Sequence, residues 1–257
     1  MRTILEIKEA LRALPGSISY YYEDLITGAV ETFEAERPQV AASVIKLPIL
    51  VEAMRQIDAG EANPDERFIV TGEQKMPSCG ALSYMHDGLA VTLTDLATLM
   101  IILSDNTATN LLIDRLGMEN VNRTAGALGL EQTCLRRRLF DAEASARGIE
   151  NTVSARDMGR LLSGMYRGQV VSEHASAAML KMLADQRLNG KLPFYLHALG
   201  IPVAHKTGED SGITHDVGIV YAGRPFVVCI LTSGTDVARA ERTIQDVALA
   251  LYRRAEA

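Results

Sequence analysis

Apolar residues first recur at helical spacing. Ile4, Leu5, Ile7, Leu11 and Leu14 are interrupted by Glu6, Lys8, Glu9 and Arg12, so Glu6 to Leu14 is predicted to form an amphipathic helix stopped by Pro15-Gly16. The pattern then shortens to strands. Ser17 to Glu23 and Ala29 to Glu34 are joined by a turn around Ile26-Thr27-Gly28. From Ser43 to about Arg187 the spacing is helical again, with Leu47, Leu50, Val51 and Met54 in one stripe and Leu96, Leu99, Met100 and Leu103 in another. After Pro193 strands return at Val203 to Lys206, Val217 to Tyr221 and Phe226 to Leu231, and Asp236 is placed to cap a last helix facing inward with Val237, Ala240, Ile244, Val247 and Leu251.

Strands at both ends with helices between them predict an α/β fold of the α+β kind. One antiparallel five-stranded sheet is assembled from distant segments, flanked by the N- and C-terminal helices, and a helical lobe is inserted. The expected division is residues 1–38 and 190–257 in a sheet domain and 39–189 in an all-helical domain, with a cleft between them.

Composition narrows the function. The 257 residues, 47% of them hydrophobic, are enough for a large core, and the net charge is −6. Arg136-Arg137-Arg138 lacks the aromatic and basic surroundings of a nucleic-acid site and reads as a solvated or ion-paired turn. No run reaches the ~18 consecutive apolar residues of a spanning helix, so no membrane partner is expected. Cys79, Cys134 and Cys229 are odd in number and lack metal spacing, and His86, His174, His197, His205 and His215 form no zinc motif; neither a structural disulfide nor a metal is expected. With no Gly-rich phosphate loop, no cofactor is expected. The chain as written carries no leader-like segment and reads as cytoplasmic, or as periplasmic or secreted if Met1 replaces a removed leader.

Three short words carry the chemistry: Ser43-Val44-Ile45-Lys46, Ser104-Asp105-Asn106 and Lys206-Thr207-Gly208. A Ser-x-x-Lys is expected about once by chance in a chain of this length, but each of the other triplets only ~0.05 times, so the ordered set is not accidental. Three residues apart on a helix, Ser43 and Lys46 share a face, which makes the amine a base for the hydroxyl. Lys206 is a second cation that would discourage Lys46 from holding a proton. The amides of Ser43 and Glu209 are candidate oxyanion donors. Ser104 can relay a proton to a leaving nitrogen, and Asn106 can bind a substrate amide. Lys206 and Thr207 suit a substrate carboxylate, and Gly208 permits close backbone approach. His205 and His215 read as hydrogen-bonded structural residues beside that strand. Pro48 removes a backbone donor from the helix expected to carry Ser43 and Lys46, which predicts a distorted first turn.

These motifs resemble the class A β-lactamase and low-molecular-weight penicillin-binding family over nearly the whole chain. Leu103 to Leu112 is similar to that family's central helical motif, Asn110 matches the asparagine that braces its Ω-loop, and His205 to Gly208 followed by Thr214-His215-Asp216 looks like its strand-turn-strand. The resemblance implies metal-independent acyl transfer through Ser43, Lys46, Ser104, Asn106, Lys206 and Thr207, on a β-lactam or acyl-D-Ala-like small molecule bearing a carboxylate. In the family an Arg-x-Glu-x-x-Leu-Asn stretch supplies the deacylating glutamate. Here Arg137-Arg138-Leu139-Phe140-Asp141-Ala142-Glu143 departs from it: Leu139 falls near the glutamate, and Asp141 and Glu143 are the candidate substitutes. The expected function is β-lactamase-like hydrolysis with weak deacylation. A D-alanyl peptidase, an esterase or amidase, or a sensor that acylates once remain open.

Overall fold

The computed structural model describes residues 4–257. Met1 to Thr3, and the side chains of Ile4 and Leu5 counted in the first apolar stripe, lie outside what is described. In chain order the elements are α1 (Ile4–Arg12), β1 (Ser17–Asp24), β2 (Val30–Phe33), β3 (Gln39–Val40), α2 (Lys46–Asp58), β4 (Arg67–Val70), β5 (Leu89–Thr92), α3 (Leu93–Ile102) and α4 (Asn106–Leu116). Then follow α5 (Met118–Ala127), α6 (Ala142–Ala146), β6 (Thr152–Val153), α7 (Ala155–Tyr166), α8 (Glu173–Ala184), β7 (Val203–Asp210), β8 (Ile213–Val220), β9 (Phe226–Ser233) and α9 (Val237–Ala255).

The main sheet has five antiparallel strands in the order β2-β1-β9-β8-β7. Both of its faces are covered, which explains why β9 reads as an unbroken apolar run. Alternate residues go to different cores. Val227, Cys229 and Leu231 face the large cluster that includes α2, α7 and α8, whereas Phe226, Val228 and Ile230 join Ile7, Leu11, Ile244 and Leu251 of α1 and α9. Burying one such side chain contributes about 1.5–3 kcal/mol, so the two layers hold the sheet from both sides. The Asp236 carboxylate accepts from the Arg239 amide at 3.2 Å and caps α9 as its sequence position predicts.

The region between the sheet segments is mostly helical but not wholly so. β4 pairs with β5, and β3 with β6, in two small antiparallel ribbons that the helical reading of 43–187 did not contain. The strands of the first ribbon are separated by the long loop 71–88, so no hairpin turn marks them in the sequence. Among the described residues no helix is long and apolar enough to cross a membrane.

Candidate active site

Ser43 does not lie on the same α-helix as Lys46. It sits in a 3₁₀ turn, Ala42–Ile45, and α2 begins at Lys46. A 3₁₀ turn has three residues per turn and stacks i on i+3, which brings the hydroxyl and the amine into line. Pro48 itself falls in the first turn of α2, where a missing amide costs little. Ala42 enters the turn at φ 43°, in the left-handed region. The amide of Ser43 has no backbone partner among the described residues.

Lys46 Nζ is surrounded by oxygen. It lies 3.0 Å from Ser43 Oγ, 2.7 Å from the Ser104 carbonyl, 2.9 Å from Ser104 Oγ and 2.8 Å from Asn106 Oδ1. Two of these partners, the carbonyl and the amide oxygen, can only accept. A neutral amine has two N–H groups and one lone pair, so satisfying both acceptors leaves the lone pair for the hydroxyls. The electrostatics point the same way: burial, then the nearby Lys206 ammonium, holds the Lys46 amine well below its ordinary value. Lys206 Nζ is 3.1 Å from Ser104 Oγ and donates to the Thr207 carbonyl at 2.8 Å. Burial lowers it to about 7, with Asp216 opposing the shift. Ser104 Oγ therefore bridges two amines.

The second motif owes its geometry to a helix junction. α3 ends at Ile102, Ser104 adopts φ 53°, and Asp105 caps α4 by accepting from the Ala108 amide at 2.9 Å. The other Asp105 oxygen accepts from the Ala81 and Leu82 amides at 2.7 and 2.9 Å, tying loop 76–82 to the site. The sequence reading gave Asp105 no role of its own. Gly80, at φ 120°, was the available signal: a Cβ there would stand 2.3 Å from Asp105 Oδ2. Asn106 Nδ2 donates to the Pro77 carbonyl at 3.0 Å, which fixes its Oδ1 toward Lys46.

A cleft of about 550 Å³ opens above these groups. Ser43, Ser104 and Asn106 line one wall, Thr207, Glu209 and Asp210 of β7 another, and Arg137 with Leu139 to Ala142 a third. Gly208 belongs to the β7 wall but faces the 3₁₀ turn: a Cβ would stand 3.1 Å from Val44 Cγ2 and 3.3 Å from the Ala41 carbonyl. Its close approach is thus to the segment carrying Ser43. The carboxylate of Glu209 accepts from Lys191 Nζ at 2.7 Å.

Asn110 holds Leu139 at both backbone groups, donating to its carbonyl at 3.0 Å and accepting from its amide at 2.9 Å. The segment's ends are closed by Asn151, whose Oδ1 accepts from the Arg136 and Arg137 amides, and by a 2.6 Å ion pair between Arg137 and Glu150. Leu139 and Asp141 line the cleft; Asp141 caps α6 through the Ala144 amide at 2.9 Å. Glu143 is exposed, does not line the cleft, and pairs with Arg147 at 3.6 Å.

His205 in β7 and His215 in β8 are both buried. His205 lies between Asp216 at 2.9 Å and Asn189 at 3.1 Å. His215 Nε2 donates to the Val40 carbonyl at 2.8 Å and Nδ1 accepts from the Thr232 amide at 3.0 Å, an arrangement only the neutral ring satisfies. Burial pushes it down to about 4. Among the described residues no group of His, Cys, Asp and Glu side chains is placed to hold a metal ion.

Comparison with known proteins places the whole chain beside β-lactamases and a penicillin-binding protein. The profile of the "Beta-lactamase enzyme family" matches residues 4–255. A β-lactamase of Streptomyces fradiae is 26% identical over 224 residues, 83% of this chain and 71% of that protein. The crystal structure of a β-lactamase from Sphaerobacter thermophilus superposes with a TM-score of 0.90 at 29% identity, covering 99% of this chain and 98% of that one. PBP-A superposes with a TM-score of 0.86 at 28% identity, covering 97% and 94%, and a Leu-to-Glu mutant of it is known as an acyl-enzyme complex with penicillin G.

Proposed function

The chain belongs to the β-lactamase enzyme family, and from that premise we propose that it acylates Ser43 with β-lactams and releases the acyl group slowly. The 3.0 Å contact between Ser43 Oγ and the buried Lys46 amine carries this reading. Neutral Lys46 takes the hydroxyl proton as Oγ bonds to the carbonyl carbon. The negative charge that develops on the carbonyl oxygen is met by the Ser43 amide and, across the cleft, by the amide of Glu209; one such donor is typically worth about 3–4 kcal/mol. When the carbon–nitrogen bond breaks, the Ser104 hydroxyl gives its proton to the leaving nitrogen and recovers one from the amine side, where Lys46 now holds it. Asn106 binds the acyl amide. The Lys206 ammonium and the Thr207 hydroxyl bind the substrate carboxylate.

Deacylation requires a base for water, and the carboxylates of the 141–150 segment, where the family carries its glutamate, have other engagements. Asp141 caps α6, Glu150 is held by Arg137 and by Ser145 at 2.8 Å, and Glu143 is exposed. Leu139 stands in the wall instead, held by Asn110. The likeness to PBP-A, of which a Leu-to-Glu mutant was captured as an acyl-enzyme with penicillin G, supports acylation by a β-lactam. A chromogenic cephalosporin tests it: a burst of about one product per enzyme followed by slow turnover is expected, by analogy with acyl-enzyme accumulation generally. Turnover without a burst would place release ahead of acylation, and no product at all would refute β-lactam acylation.

A further inference from the structure

The two ends of the cleft carry opposite charge. At the inner end Thr207 lines the cleft, is 3% exposed and has no hydrogen-bond partner for its hydroxyl among the described residues, and the fully buried Lys206 amine lies behind it, 3.1 Å from Ser104 Oγ. The outer end is acidic. Of its four carboxylates, Glu209 is paired with Lys191 and Glu150 with Arg137, but Asp210 and Asp141 have no ion-pair partner among the described residues. Asp210 accepts only from the neighbouring Ser211 amide, at 2.7 Å, and Asp141 from the Ala144 amide, at 2.9 Å.

Phe140 stands between Leu139 and Asp141 along the chain and shares their wall of the cleft. It is 51% exposed, lines the cleft, and is held at φ 61°. A left-handed aromatic residue costs about 1–3 kcal/mol, and it is fixed there by the Asn110 clamp on one side and the Asp141 cap on the other. An exposed ring beside an unpaired carboxylate is a favourable setting for an organic cation.

The direction of the substrate follows from β7. Asp210 lies four residues beyond Lys206 on the strand, about 13 Å at the usual rise. A substrate whose carboxylate meets Lys206 and whose carbonyl meets Ser43 therefore extends its acyl side chain toward Asp210. We infer that the outer end of the cleft selects acyl donors bearing a positive charge on the acyl side, with Asp210 and Asp141 as its carboxylates and Phe140 as its aromatic wall. This rests on acylation of Ser43 and adds a preference to it.

Ampicillin, benzylpenicillin and carbenicillin share one scaffold and differ in carrying an ammonium, a hydrogen or a carboxylate on the acyl side chain. Their acylation efficiencies are measured by intact-protein mass at a pH where the amine is charged, each normalised to its alkaline hydrolysis rate. The expected order is ampicillin, benzylpenicillin, carbenicillin, with about tenfold or more between the extremes. Added salt should compress that spread, because both carboxylates are at the cleft mouth. Asp210→Asn should compress it too, and the salt series decides the matter in the unmodified protein if that variant does not fold. Equal efficiencies, a reversed order or a spread indifferent to salt would overturn the charge preference while leaving Ser43 acylation intact. Failure of all three penicillins to acylate would instead overturn the reading on which it rests.

Discussion

Lys46 is held by two acceptors that cannot give it a proton, the Ser104 carbonyl and Asn106 Oδ1, and it faces a second amine through Ser104 Oγ. Its hold on a proton is weakened by burial first and by the Lys206 charge second. The two amines accordingly titrate as a pair. A base that must be unprotonated gives an acylation rate that rises with pH through its own titration. Removing the Lys206 charge favours protonated Lys46, so Lys206→Met should move the acid limb of the acylation profile to higher pH. A limb that stays in place would mean that Lys46 is not the base. Lys46→Met should slow acylation by about 10²–10⁴-fold, the usual contribution of a positioned base.

At the scale of elements, the wall made by Leu139 is the most direct lever. It lines the cleft at a backbone position fixed from both sides by Asn110, so a side chain placed there has a defined direction. Leu139→Glu should raise the release rate of the penicilloyl enzyme by about 100-fold while the burst persists. An unchanged release rate would show that water is activated elsewhere. The same elements show what can be read from sequence. Ser43 and Lys46 were legible because three residues are nearly one turn in either kind of helix. Asn110 was legible only through resemblance. Loop 76–82 was not legible, because its place depends on Asp105 reaching back to the amides of Ala81 and Leu82, a contact between distant residues that leaves no periodic trace. The ribbon of β4 and β5 escaped for a similar reason: strands of four residues separated by a long loop carry too little pattern.

Across the whole molecule the sheet was most legible at β9, whose alternate residues are apolar toward both cores, as expected when helices cover each side. His215 links that sheet to the cleft, since it joins β8 and β9 to Val40 in the wall. Burial lowers it from the ordinary imidazole value of 6.5 to about 4. The unfolded chain therefore binds a proton before the folded one does. The stability that depends on the neutral ring is complete above 6.5, declines as the pH falls from 6.5, and is gone below about 4; it amounts to about 3 kcal/mol. Urea unfolding at stepped pH should show this slope in the wild type and not in His215→Gln, and equal slopes in the two proteins would exclude His215 as the source.

All of these expectations depend on one covalent bond, and intact-protein mass spectrometry followed by peptide mapping after exposure to benzylpenicillin tests it most directly. The account predicts a single penicilloyl adduct on the peptide that contains Ser43, lost in Ser43→Ala while the folded state is retained. An adduct on another residue, or equal labelling of that variant, would contradict it.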